Sequence, residues 1–156
     1  MTSFTTTTTY NQTPEEVFNA VTNVRGWWSQ DVEGPTDTEN EEFTYNYEDL
    51  HRCRIRITDL TPNTIRWQVL ENHFAFTEDQ AEWTDTTITF SITETPAGTA
   101  LTFTHHGLVP THECYTVCDN AWRFYIGTSL HNLITTGKGS PNTGQVNHVP
   151  PLASAR

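Results

Sequence analysis

Five residues able to hold a metal or move a proton crowd one short span: His105, His106, His112, Cys114 and Cys118. Cys114 and Cys118, four apart, share a helical face and have the spacing of two zinc ligands. A structural zinc site, however, takes two close pairs of ligands, and on a strand His105 and His106 point to opposite faces. No metal and no cofactor is therefore expected. Cys118, His105 and Glu113 supply the types of a nucleophile, a base and an orienting acid. A cyclase-type reaction asks for less, one placed titratable group such as His51 or Tyr47 acting as general acid. Each of these residues also has a plainer role: cysteine is a common small buried residue, and a buried histidine needs only a hydrogen-bonding neighbour. Glycine-rich phosphate loops, paired inward carboxylates and nucleotide fingerprints are absent. No catalytic residue is assigned on these patterns.

The elements that must position these groups are legible from periodicity. Thr5 to Thr9 is a β-branched run, so Ser3 to Tyr10 reads as an opening strand. Thr13-Pro14-Glu15-Glu16 reads as a helix start, with Thr13 as cap, Pro14 at the first helical position and Glu16 closing a capping box. That short helix carries Val17, Val21 and Val24 inward and is expected to end near Arg25-Gly26, just before Trp27-Trp28. From Phe43 the period becomes two: Phe43, Tyr45 and Tyr47; His51, Cys53, Ile55 and Ile57; Ile65, Trp67 and Val69; Ile88, Phe90 and Ile92; Leu101, Phe103 and His105. Turns at Thr61-Pro62-Asn63 and Pro96-Ala97-Gly98 join neighbours tightly, which makes the sheet antiparallel. Arg52, Arg54 and Arg56 fall on the opposite, solvated face. The stretch Asn72 to Ala81 fits a strand, a loop or a lip over the sheet.

A long amphipathic helix closes the chain from Thr111 to Thr136, with Gly137 as a left-handed cap. Cys114, Cys118, Trp122, Tyr125, Ser129 and Leu133 share one face, and about 25 residues make a rod of roughly 37 Å. The fold class is α+β: a curved antiparallel sheet wrapped around a long C-terminal α-helix, one domain over residues 1–141 followed by a mobile tail, 142–156. Sheet and helix together are expected to enclose a cavity. Its walls are Trp28, Tyr45, Tyr47, His51, Trp67, Phe90, Phe103, His105, Cys118, Trp122 and Tyr125, apolar surface with sparse polar groups, as small-molecule sites have. The same rings also suit a solid core.

Charge narrows the partners. The 156 residues carry 19 acidic and 8 basic side chains, a formal net charge of -11, with Lys138 as the single lysine. Such a surface repels phosphate backbones and anionic lipid, so neither nucleic acid nor membrane is expected as a partner. The N-terminus has no basic leader or apolar core, and three cysteines without an export signal imply reduced thiols in the cytoplasm. Exposed sheet edges allow a homodimer.

The ordered set Val24-Arg-Gly-Trp-Trp28-Ser29, Tyr47-Glu-Asp-Leu-His51, Leu60-Thr-Pro62, Trp67-Gln-Val69, Trp83-Thr-Asp-Thr86, Gly98-Thr99 through His105, Gly107-Leu-Val-Pro110, Glu113 to Cys118 and Thr136-Gly-Lys-Gly139 resembles a known family. It is similar to the START/Bet v 1-like (SRPBCC) superfamily, in the branch of the activator of heat-shock protein 90 ATPase, over roughly Phe4 to Pro141. Asp85 and Ala121 stand where that pattern has glycine. The resemblance implies a helix-grip fold and a small, largely apolar ligand held between helix and sheet. It also implies two other classes: an enzyme of cyclase or hydrolase type using the same cavity, or a co-chaperone-like protein that contacts a chaperone.

Overall fold

The computed structural model describes residues 3–47, 51–74, 83–107 and 115–141. The tail over 142–156 lies outside them, as do His112, Glu113 and Cys114. Strand β1 (Ser3–Tyr10) leads into helices α1 (Pro14–Thr22) and α2 (Val24–Trp27). Strands β2 (Val32–Glu33), β3 (Glu42–Tyr47), β4 (His51–Thr61), β5 (Thr64–Phe74), β6 (Thr87–Thr95) and β7 (Gly98–His106) follow. They form one curved seven-stranded antiparallel sheet in the order β1-β7-β6-β5-β4-β3-β2. The closing helix is built from α3 (Tyr115–Phe124), a π-helical turn (Tyr125–Leu130) and α4 (His131–Thr136). This is the helix-grip α+β architecture.

The expected first helix starts as its sequence dictates and stops sooner. Glu16 N–H donates to Thr13 Oγ1 at 3.1 Å and Thr13 N–H to Glu16 Oε1 at 2.9 Å, a complete capping box. Asn23, at φ -85° and ψ 68°, leaves helical space and splits the expected single helix into α1 and α2. The break turns Trp27 and Trp28 inward together, and both are buried.

Alternation along the strands sorts the faces as the period of two requires. Tyr45, Ile55, Ile57, Trp67, Ile88, Phe90 and Phe103 are wholly buried, while Arg52 and Arg56 are exposed. On the outer face Arg54 bridges Glu42 at 2.7 Å and Glu71 at 3.3 Å. These solvent-screened pairs add little to stability. Register shifts between Arg54 and Ile55 and between Ile57 and Asp59 mark bulges that bend β4 and β5. Asn72 to Phe74 extends β5, and the rest of the ambiguous stretch, 75–81, lies outside the described residues.

The closing helix departs from the expected uniform rod. The π-turn inserts an extra residue per turn, so after Tyr125 the buried positions become Ile126, Ser129, Leu130 and Ile134, with Leu133 only partly covered. Ser129 Oγ donates to the Trp27 carbonyl at 2.7 Å and accepts from Ser140 N–H at 2.7 Å, clasping helix, α2 and the following chain together. A side chain at Gly139 would strike the Gly26 carbonyl, so only glycine permits that approach. Gly137 takes the left-handed cap at φ 88°. Among the described residues no helix is long and apolar enough to cross a membrane.

Removing the Thr13 cap isolates one local contribution. Thr13→Ala is expected to cost about 1 kcal/mol, read as a fall of roughly 2–4 °C in the thermal midpoint, with the sheet signal in circular dichroism unchanged.

Candidate functional site

Six of the eleven expected wall residues meet around one point between sheet and closing helix. Trp28 comes from the end of α2, Tyr45 from β3, His51 from β4, Cys118 and Trp122 from α3, and Tyr125 from the π-turn. Trp83 and Ala121, absent from the expected wall, complete it. The void they enclose is about 10 Å³, room for a single water. The expected open chamber is therefore filled by rings. Tyr47, Trp67, Phe90, Phe103 and His105 are buried nearby but do not border the void.

Packing of flat surfaces explains the filling. Trp28 stacks on Tyr45 with centroids 3.8 Å apart, and Trp67 lies parallel to Trp28 at 5.8 Å. Trp122 stacks on Trp83 at 5.5 Å. Trp83 meets His51 and His105 edge to face, at 4.6 and 4.7 Å. Each such ring contributes roughly 1.5–3 kcal/mol of burial, and offset or edge-on pairs add about 0.5–1.5 kcal/mol. The two positions that depart from the family glycines both shape this place. Asp85 holds φ at 70°, the left-handed region that glycine enters freely and aspartate tolerates. The Ala121 methyl takes space at the void that a glycine would leave open.

The two buried histidines have different partners. His105 Nδ1 accepts from the Trp122 indole N–H at 3.1 Å, which places its proton on Nε2. Nε2–H then donates to Thr86 Oγ1 at 2.8 Å, and the Thr86 hydroxyl donates to the Trp83 carbonyl at 2.6 Å. This directed chain ties β7, α3 and the Trp83 turn together and uses both ring nitrogens. A base role for His105 toward Cys118, or an orienting role toward a guest, would have to break it. His106, next along β7, is exposed, so the pair cannot face one metal.

His51 Nε2 faces Asn72 Oδ1 at 2.7 Å, an acceptor, so Nε2 carries the proton. Burial pulls the His51 pKa from 6.5 down to about 3, with nearby His73 acting in the same direction and the Asn72 bond opposing. Burial therefore favours the neutral form of His51, whose Nε2–H is committed to Asn72. Burial likewise raises the Cys53 thiol and holds Tyr45 well above its ordinary range, so both stay protonated. Sequence reasoning missed Asn72 and Thr86 as partners, because neither lies in a motif that displays its contact.

The His51 shift sets an acid limit. An unfolded His51 binds a proton below about pH 6.5 and the folded one only near 3, so stability is complete above 6.5 and falls with acidification between those values. The expected slope from this group is about 1.4 kcal/mol per pH unit. Denaturant titrations of wild type and His51→Gln across that window are expected to diverge by this slope; parallel curves would remove His51 as the cause.

Against known proteins, the chain matches the family model described as Activator of Hsp90 ATPase homolog 1-like protein over residues 11–135. No curated protein matches it. Among solved structures it is similar to the Aha1 dimer from Colwellia psychrerythraea, at 22% identity and TM-score 0.71, covering 89% of this chain and 100% of that one. SSP2350 from Staphylococcus saprophyticus aligns at 18% identity and TM-score 0.65 over 90% and 97% of the two chains. CalU16 from Micromonospora echinospora does so at 15% identity and TM-score 0.63 over 89% and 77%. Identities this low speak to the fold alone. The family model, by contrast, runs from just beyond β1 almost to the end of α4, through Trp83 and the closing helix, and on that match the chain belongs to the Activator of Hsp90 ATPase homolog 1-like family.

Proposed function

We propose that the chain is a cytoplasmic helix-grip binding protein for a small, largely apolar, flat guest, held between the closing helix and the concave sheet face in place of part of the aromatic stack. The carrying observation is that the walls converge from α2, β3, β4, α3 and the π-turn on one residual void. Two backbone irregularities lie in that wall. Trp83 sits on a short turn braced by Asp85 in a left-handed conformation, and Tyr125 opens the π-turn, a helix irregularity frequent at functional sites. A guest larger than water enters by displacing a ring, so the apparent affinity is the intrinsic one reduced by the fraction of open molecules.

Ala121→Gly tests this directly. It is expected to cost about 1 kcal/mol as a glycine inside a helix, yet to tighten binding of a naphthalene-sized probe on the order of tenfold by enlarging the open fraction. Tryptophan quenching reads the outcome. A probe library with no spectral or thermal response from either protein would end the guest-binding reading.

The filled interior also favours a second reading, a rigid interaction module of co-chaperone type. The Colwellia neighbour is an Aha1 protein and a dimer, and β1, an outer strand of the sheet, offers a second copy an edge to pair with here. On that reading the purified protein raises the ATPase rate of its host's Hsp90-type chaperone at least about twofold at saturation; an unchanged rate discards it.

A further inference from the structure

A second hollow lies against the far side of the chamber wall. It is a groove of about 390 Å³ bordered by Arg52, Arg54, Glu71, Asn72, His73 and Thr84, with Cys53 at its floor. The groove opens where the sheet divides. β5 pairs with β6 only from Thr64 to Gln68, while it stays paired with β4 as far as Phe74. Beyond the Val69 and Thr86 backbone bond, β4 and β5 form one bank and Thr84 the other.

Only one layer of side chains separates groove from chamber. Asn72 borders the groove and bonds His51, which borders the inner void, at 2.7 Å. Thr84 borders the groove and its neighbour Trp83 borders the void. The groove also inverts the charge of its surroundings. In a chain of net charge -11, the described residues that border it set two guanidinium groups against one carboxylate, with His73 beside them. Arg54 is held by Glu42 and Glu71, whereas Arg52 is exposed and makes no ion pair among the described residues. Arg52 and His73 are direct cross-strand partners, so both project from the same place on the sheet.

We propose that this groove binds the anionic end of the guest, making the ligand class an aromatic carboxylate whose ring enters the chamber past Trp83 while its carboxylate is held by Arg52 and His73. The proposal rests on the guest-binding reading above and adds the polar half of the ligand. A guanidinium suits it because two parallel N–H donors match a carboxylate, and the net negative field of the chain makes a local cationic spot selective rather than generally sticky.

A matched pair of probes separates the two ideas: 2-naphthoate and its methyl ester, which share a ring system and differ in charge. Calorimetric titration of the intact protein and of Ala121→Gly is expected to give about tenfold tighter binding of the acid, one charge-assisted contact's worth. Arg52→Gln removes that preference and leaves the ester unchanged, His73→Gln weakens the acid alone, and salt erodes only the acid's affinity. Equal binding of acid and ester, or equal loss of both in Arg52→Gln, overturns the groove while the chamber stands. Binding of neither probe to either protein overturns both.

Discussion

The fold turns on one constraint: the space between a bent sheet and its closing helix must be filled by flat side chains brought from many separate elements. Trp28 is at the centre, in ring contact with Trp27, Tyr45, Trp67 and Trp122. Close-packed interiors gain from each such contact only if every neighbour is seated, so no strand or helix holds its place alone. That mutual dependence explains why the short α2 matters as much as the long helix. It delivers Trp27 and Trp28, and Ser129 of the helix returns a hydrogen bond to the Trp27 carbonyl.

Polar groups inside this stack serve orientation. The chain from Trp122 through His105 and Thr86 to the Trp83 carbonyl ties the Trp122 indole, β7 and the Trp83 turn together at once. Its direction follows from the indole being a donor only, so one tautomer of His105 satisfies every member. His51 and Asn72 do the same for β4 and β5. The interior is tightly packed, and both of its buried histidines are hydrogen-bonded to neighbouring side chains.

Most of the architecture was legible in the residues. The capping box, the period-two strands and their inward sets followed from Thr13 to Glu16 and from rows such as His51, Cys53, Ile55 and Ile57, because backbone geometry maps those spacings onto faces directly. The break at Asn23 and the π-turn were not legible, since a helix-compatible sequence does not reveal where tertiary packing will override local periodicity. For the same reason Ile126, Leu130 and Ile134 escaped the expected face. Of the site, the types and convergence of six wall residues were readable, but the volume left between them was not. Volume depends on how rings interleave, and that is decided by contacts distant in sequence, such as Trp83 on Trp122.

The π-turn has a geometric corollary. Each residue of an α-helix advances the side chain by about 100°, so the additional residue between Tyr125 and Leu130 offsets every later position around the axis. Upstream of it the rod presents Cys118 and Trp122 to the sheet; within it Ser129 reaches the Trp27 carbonyl, and downstream of it Ile134 faces the core. The later stripe is thereby shifted from Leu133 toward Leu130 and Ile134, so the closing helix meets the core along a line that bends at the π-turn.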